Sequence, residues 1–330
     1  MLSFLYFFYL SSRMSPGTLG GYVWALSFST LFSIGTDLGL APVFIREASR
    51  RVEDGNKLLR NALALKLPLI VITAVLAFLT IMATGGTDDR TFLVLGAIGV
   101  MSLDALSLVL WGALRARQNI FYESISIIIF QIVVFGSGVV FWETTHKIVL
   151  VMVALTLGSL ANVAIAAGIL KFRFGYKLAP AWDKEIIGNF IRTARAFALA
   201  GIFVKIYNAA DSVILGYMRG EHDVGIYSIP AKVVTALQAL IPGAFAASIF
   251  PSMSNYFVTS REKLSSVFSK SFCYLLLFAA PIGCGLATIA KPVLASLWPD
   301  YIEATPAFVI MGIGLPFVFL AFSTGSLLNA

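Results

Sequence analysis

Charge is scarce in this chain. Asp, Glu, Lys and Arg make up only 12% of its 330 residues, about half the share of a soluble domain, so the usual reckoning of domains from length does not apply. Histidine and cysteine number two each. His146 and His222 lie in loops with no acid–Cys–His cluster near either, which argues against a metal site. Cys273 and Cys284 share one apolar stretch, eleven residues apart. On a helix that is about 16 Å, too far for a disulfide, so they read as two buried membrane thiols. There is no Walker-type phosphate loop, which argues against ATP hydrolysis. No nucleophile-plus-base spacing stands out, and the longest outer loop is short, near Pro292 to Glu303. A membrane enzyme of glycan assembly would need a larger outer loop or domain for its catalytic groups. The expectation is a protein that moves something, with no catalytic residues and no cofactor.

What the chain has in excess is apolar sequence, 58% of residues with a mean hydropathy of +0.88. It falls into a ladder of runs separated by short polar loops. Between Tyr22 and Ile45 the only charge is Asp37; from Ala62 to Thr87 it is Lys66; from Thr91 to Leu114 it is Asp104; Lys147 to Leu170 has none after its first residue. A bilayer core about 30 Å thick is crossed by about 20 helical residues. Spanning segments must satisfy their own backbone, so helices are expected, and the polar–apolar alternation of a membrane β-barrel strand is missing. The spans are roughly 1–14, 20–45, 62–84, 91–114, 119–141, 147–170, 196–218, 223–250, 270–290 and 304–328. The fold class is an all-α polytopic membrane protein.

Residues 1–14 are too few to span and do not have the charge order of a signal peptide. They read as the outer end of a first helix that begins upstream. Basic residues sort by loop. Arg46, Arg50, Arg51, Lys57, Arg60, Arg115, Arg117, Lys171, Arg173, Lys177, Lys184, Arg192, Arg195, Arg261, Lys263 and Lys270 fall in one alternate set. Arg13, Arg90, Lys147, Arg219 and Lys291 fall in the other. By the positive-inside rule the first set faces the cytoplasm, which puts the N-terminus in the cytoplasm and the chain in a plasma (inner) membrane. The net charge of +7 is thereby accounted for without nucleic acid.

Three regions are expected: an N-terminal six-helix lobe over 1–171, a cytoplasmic amphipathic linker over 172–195, and a C-terminal lobe over 196–330 cut short after four helices of an expected six or more. In the linker Ile186, Ile187, Phe190 and Ile191 share one helical face, as in an interfacial segment. The lobes carry a weak repeat. An offset of 205 residues places Gly20 on Gly225 and Tyr22 on Tyr227, and each span ends in a polar turn with Ser49 or Ser254. Transporters are often built from such repeats, with substrate held near the midplane. Pro68, Pro230, Pro242, Pro251, Pro281 and Pro316 lie within or at the ends of spans and can kink them.

An ionisable group inside a span is costly and is a functional candidate by default. The cavity candidates are Lys205, Asn208, Asp211, Lys232, Asp37, Asp104, Gln131 and Arg13. Lys205, Asn208 and Ser212 fall at i, i+3 and i+7, one stripe of a helix bordered by Asp211. That stripe fits either a cavity wall or a structural polar clamp. Asp37, in Gly35-Thr36-Asp37-Leu38-Gly39, reads first as a structural group near a helix bend. Lys66 is expected to snorkel and Glu123 to be interfacial.

Leu19-Gly20-Gly21-Tyr22, Asp37-Leu38-Gly39-Leu40 and Ile45-Arg46-Glu47-Ala48-Ser49-Arg50 resemble the opening of polysaccharide-biosynthesis (O-antigen) flippases. These belong to the multidrug/oligosaccharidyl-lipid/polysaccharide exporter superfamily. Asn208-Ala209-Ala210-Asp211-Ser212-Val213-Ile214-Leu215-Gly216, Val224-Gly225-Ile226-Tyr227-Ser228 and Ile249-Phe250-Pro251-Ser252-Met253-Ser254 follow in the family's order. The resemblance implies a MATE-like exporter fold of two pseudo-symmetric lobes around a central cavity. It also implies alternating-access transfer of a polyprenyl-pyrophosphate-linked oligosaccharide to the outer leaflet, with coupling to an ion gradient. Its partners would be the lipid-linked oligosaccharide, membrane lipids and other polysaccharide-assembly proteins. A basic cavity would suit the pyrophosphate, with Lys205, Lys232 and Arg13 as candidates. A drug or metabolite exporter of the same fold, a glycan-assembly enzyme and an inactive scaffold fragment are the alternatives.

Overall fold

The computed structural model describes residues 2–84 and 88–329, without the side chains of Asp88, Ala196, Ala200 and Asn329. Met1, Gly85, Gly86, Thr87 and Ala330, at the ends of spans read above, lie outside the described residues. Among those residues there are helices and no strand: α1 (Leu2–Arg13), α2 (Pro16–Asp37), α3 (Leu40–Arg50), α4 (Gly55–Ala83), α5 (Asp88–Arg115), α6 (Phe121–Thr145), α7 (Ile148–Gly168), α8 (Lys184–Arg219), α9 (Glu221–Gln238), α10 (Ala244–Thr259), α11 (Arg261–Leu297) and α12 (Thr305–Asn329). Eight helical stretches among the described residues are long and apolar enough to cross a membrane, and the bent pair α2–α3 makes a ninth. A π-helical turn at Ala239–Gly243, carrying Pro242, joins α9 to α10, so both belong to one span, as read at 223–250.

The span read at 20–45 is not one straight helix. It bends by 45° between Asp37 and Leu40, where Leu38 (φ 43°) and Gly39 (φ 79°) are left-handed and end α2. Gly39 is required there for a second reason. A Cβ on it would lie 2.7 Å from the Ala194 carbonyl oxygen and 2.8 Å from the Ala198 nitrogen, so α8 crosses the break at backbone contact.

By their internal packing the residues form two units, 21–221 and 3–20 with 222–330. These edges differ from the expected ones at 171/172 and 195/196: all of α8 up to Arg219 packs with the N-terminal helices, and α1 packs with the C-terminal ones. In the larger unit the core joins Phe44 of α3, Leu59 of α4, Trp111 and Leu114 of α5, Leu170, and Phe190 of α8, all at most 2% exposed. Of the amphipathic stripe read as interfacial, Ile187 and Phe190 therefore lie on protein, Ile186 is half-buried and Ile191 stays exposed. Ile187 and Phe190 are buried because α3 and α4 offer an apolar surface that excludes water better than headgroups do. From Lys184 onward the expected linker is the first turns of α8.

The stretch before α8 is stitched to the start of α4. Lys177 N–H donates to Asn56 Oδ1 (3.0 Å), Arg60 Nε to the Ala179 carbonyl (2.8 Å) and Asp183 N–H to Asn61 Oδ1 (2.6 Å). Asp183 caps α8 by accepting from the Glu185 and Ile186 N–H groups and pairs with Lys57 Nζ at 2.8 Å. The hydrogen bond from Lys57, then those from the backbone, hold the Asp183 carboxyl below its ordinary range. A depressed carboxyl contributes stability that is present above its unfolded-state pKa, near 3.9, and is lost as pH falls through the folded value. Thermal midpoints in detergent should thus fall as pH drops below about 4. Asp183→Asn should lower the midpoint at neutral pH and flatten that acid limb. An acid limb unchanged in Asp183→Asn would contradict the assignment.

In the smaller unit α1 is fixed by the short helix Pro299–Ala304 and the residue before it. Trp298 Nε1 donates to Ser11 Oγ (2.7 Å), Tyr301 OH to the Met14 carbonyl (2.9 Å), and Phe8 meets Trp298 edge to face at 5.0 Å. α11 and α12 approach closely at Gly283 and Gly312, the small-residue packing of membrane helices, around Leu275, Ala279, Leu315 and Phe319. Cys273 and Cys284 are free thiols on the exposed side of α11, not buried as expected, because the packed face of that helix is taken by glycine, alanine and leucine.

Candidate functional site

The larger unit contains a row of three cavities. The middle one, about 530 Å³, is lined by Ser29, Thr30, Ser33, Thr36 and Asp37 of α2, Asp104 of α5, Phe130 of α6, Leu155 of α7 and Lys205 of α8, with apolar neighbours. It shares Asp37 with a second cavity of about 380 Å³ between the α2–α3 break, α4 and α8. It shares Asp104 with a third of about 290 Å³ lined by Gln131, Trp111, Asn162, Arg115 and Glu123. A carboxylate is thus among the residues at each junction.

Local structure explains the chemistry of the middle wall. Ser29 and Thr30 donate to the Leu26 carbonyl, Ser33 to that of Thr30 and Thr36 to that of Ser33. Their hydroxyl protons are spent on their own helix, which leaves oxygen lone pairs as the groups available to a ligand. Asp37 Oδ1 accepts from Lys66 Nζ at 2.5 Å, and Asp104 Oδ1 accepts from Ser159 Oγ at 2.7 Å. Lys205 lines the same cavity as both carboxylates. The cavity is therefore rich in acceptors, not basic as the pyrophosphate argument expects: its two carboxylates, Asp37 held by Lys66 and Asp104 held by Ser159, face a single lining lysine.

The sequence candidates divide. Asp37, Asp104 and Lys205 meet in the middle cavity, and Gln131 lines its neighbour. Asn208 is exposed and donates to the Val204 carbonyl (2.8 Å); Asp211 is exposed and accepts from the Ser212 N–H (2.6 Å). The stripe of Lys205, Asn208 and Ser212 is thus not one wall of this cavity: α8 turns Asn208 back onto its own backbone. Lys232 and Arg13 belong to the smaller unit, where Lys232 Nζ sits 5.5 Å from the Phe7 ring centre and Arg13 is exposed at the end of α1.

Two groups read from sequence as membrane-surface residues are internal. Lys66 does not snorkel: it has no exposed surface, because Asp37 at the helix break supplies its counter-ion. Glu123 is buried, not interfacial, and takes both Nε and Nη2 of Arg115 as a fork. The hydroxyl stripe of α2 and Asn162, which accepts from Trp111 Nε1 (3.0 Å) and Ser126 Oγ (2.7 Å), line these cavities as well, although they carry no charge to single them out in sequence. The signals were there: Ser29, Ser33 and Thr36 recur at helical spacing, and Asn162 is an amide in a span without charge.

The fold has known counterparts. It is similar to a multidrug resistance MATE family transporter of the MOP superfamily in an inward-facing conformation (TM-score 0.69, 14% identity, over 99% of this chain and 82% of that one). It is also similar to the lipid II flippase MurJ in an inward closed conformation (0.67, 15%, 100% and 77%). A MOP superfamily transporter from Pyrococcus furiosus matches at 0.52 and 15% identity, over 98% of this chain and 79% of that one. No curated protein matches the chain in sequence. These likenesses establish the MATE-like exporter fold, and the eight long apolar helical stretches among the described residues make it that of a multi-pass membrane protein. The profile of the polysaccharide biosynthesis protein family matches residues 1–257, and with that match over most of its length the chain belongs to this family.

Proposed function

We propose that the protein is a flippase that carries a polyprenyl-diphosphate-linked oligosaccharide from the cytoplasmic to the outer leaflet of the plasma membrane by alternating access. The observation that carries this reading is a cavity lined by hydroxyls, two carboxylates and a lysine, built inside membrane-spanning helices of a member of the polysaccharide biosynthesis family. Saccharide hydroxyls are donors as well as acceptors, and the serine and threonine oxygens, Asp104, Gln131 and Asn162 are matched to them. A fold shared with a lipid II flippase supports the same class of task. Asp104 and Lys205, which both line the cavity, are the proposed seat of ion coupling, since intramembrane acid and base groups can exchange protons with the gradient. The basic loops at Arg46–Arg60 and Lys171–Arg195 face the cytoplasm in this proposal.

The test is transfer of a fluorescent lipid-linked oligosaccharide across proteoliposomes that contain the full chain. Lys205→Ala should slow transfer by about tenfold or more, the value of one charge-assisted hydrogen bond, with protein levels unchanged. Export of cationic compounds with no transfer of the saccharide-lipid would replace the proposal by a drug exporter.

A further inference from the structure

The second cavity differs in character from the other two. Its walls are Leu38, Leu65, Pro68, Leu69, Phe190 and Ala198, with Trp182, Ile191 and Arg195 also facing it and Asp37 at its junction with the hydroxyl-lined cavity. It exists because α2 stops at Leu38–Gly39 and Gly39 draws α8 across the break. Trp182 and Ile191 are exposed, 65% and 47%, at its rim. Tryptophan with arginine is the pairing found where membrane headgroups meet hydrocarbon. Arg195 is exposed and has no ion-pair or hydrogen-bond partner among the described residues. Among the described residues of the same unit Lys57, Lys66, Arg90 and Arg115 are paired and Arg51, Lys184 and Arg192 are not, but none of these lines the apolar cavity as Arg195 does.

We propose that this cavity is the subsite for the isoprenoid chain of the transported lipid, with its diphosphate on Arg195. The assignment rests on the flippase reading and adds to it the place of the lipid part. A branched hydrocarbon suits walls of leucine, proline and phenylalanine, where its burial from water is favourable. A diphosphate suits a guanidinium that no carboxylate neutralises. Arg195 and Lys205 are ten residues apart on α8, about 15 Å along the helix, and the apolar and hydroxyl-lined cavities meet at Asp37. The apolar cavity, which Arg195 also lines, therefore holds chain and diphosphate, and the hydroxyl-lined and amide-lined cavities beyond Asp37 are left for the sugar. A bilayer phospholipid shares the tail-and-phosphate chemistry but has no saccharide to fill the rest of the row.

The probe is undecaprenyl phosphate added to the full chain in phosphatidylcholine nanodiscs containing phosphatidylglycerol, with retention read by native mass spectrometry. The wild type should keep one undecaprenyl phosphate against excess phosphatidylglycerol. Arg195→Gln should weaken retention about tenfold, with Arg195→Lys recovering part of it, and undecaprenol should be indifferent to Arg195→Gln. Ala198→Phe, which fills the cavity, should abolish retention; if it does not fold, the Arg195 series, on an exposed side chain, decides alone. Equal retention of phosphatidylglycerol, or retention unchanged in Arg195→Gln, overturns the site. Two outcomes separate the subsite from the reading beneath it. Oligosaccharide transfer at the wild-type rate in Ala198→Phe would sink the subsite and leave the flippase. Tight retention of undecaprenyl phosphate by a wild type that transfers nothing would sink the flippase reading alone.

Discussion

Asp37→Asn is expected to destabilise the protein more than Lys66→Met, although both break the same ion pair. The two partners are not equally placed. The Lys66 side chain has no exposed surface, whereas that of Asp37 is 23% exposed and faces two cavities. Removing the carboxylate leaves a fully buried ammonium without its counter-ion, at a cost of about 3–5 kcal/mol. Removing the ammonium leaves a carboxylate that solvent in the cavities can reach, so the cost falls to about 1–3 kcal/mol. The double variant, Asp37→Asn with Lys66→Met, places a thioether stem in the apolar slot of the lysine and should regain most of the loss, a coupling of the kind seen for contacting residues.

Detergent thermal midpoints of the four proteins measure this directly. Two equal single losses that simply add in the double variant would show that the pair does not act as a unit. The same series also separates structure from transport. A double variant that is stable but does not move the saccharide-lipid would place the Asp37 carboxylate in the transport cycle. One that moves it normally would leave Asp37 as the brace of a helix break.

That break shows what sequence could and could not reveal. The number and order of spans were legible because about 20 apolar residues in a row have one physical outcome in a bilayer. Gly39 beside Asp37 announced a bend, since a glycine after an apolar run favours the left-handed turn that stops a helix. The partner of Asp37 was not legible. Lys66 lies 29 residues away on another helix, and from sequence alone a lysine near the end of a span looks like one that reaches for headgroups. The middle cavity was half legible: Asp104 and Lys205 stood out as charges in apolar runs, whereas Ser29, Thr30, Ser33 and Thr36 are too common in membrane helices to attract notice singly. The amphipathic stripe at Ile186–Ile191 was correctly periodic, but periodicity says that a face is covered, not whether lipid or protein covers it. Asn208 fell on the right stripe and still bonded its own helix, since amides compete for backbone carbonyls.

Trp24→Ala should give the second large effect, confined to one end of α8. Trp24 is fully buried and is the centre of a clasp. The Arg90 guanidinium lies 3.8 Å from its ring centre and 5.7 Å from that of Tyr217, and Arg90 Nε is 3.1 Å from Glu221 Oε1. Trp24 Nε1 donates to the Val213 carbonyl at 3.3 Å, and Gly216 has no side chain where the indole presses on α8. Truncation removes the packing, worth about 3–5 kcal/mol for a buried tryptophan, and with it the platform that holds Arg90, a cation–π contact of about 0.5–2 kcal/mol. Arg90→Lys should be milder but not silent, because an ammonium cannot lie flat on the ring as a guanidinium does. The start of α8 is held independently by Phe190 in the core and by Lys57 on Asp183. Amide exchange over Val213–Arg219 should therefore speed up about a hundredfold or more in Trp24→Ala, while Lys184–Ala194 keeps its protection. Lys205 lies between the two anchors, on an α8 turn that lines the hydroxyl-rich cavity. Loosening one anchor frees that turn to swing, so transport in Arg90→Lys should change in rate before the fold is lost. Uniform loss of protection along α8, or none, would show that the clasp does not control this helix.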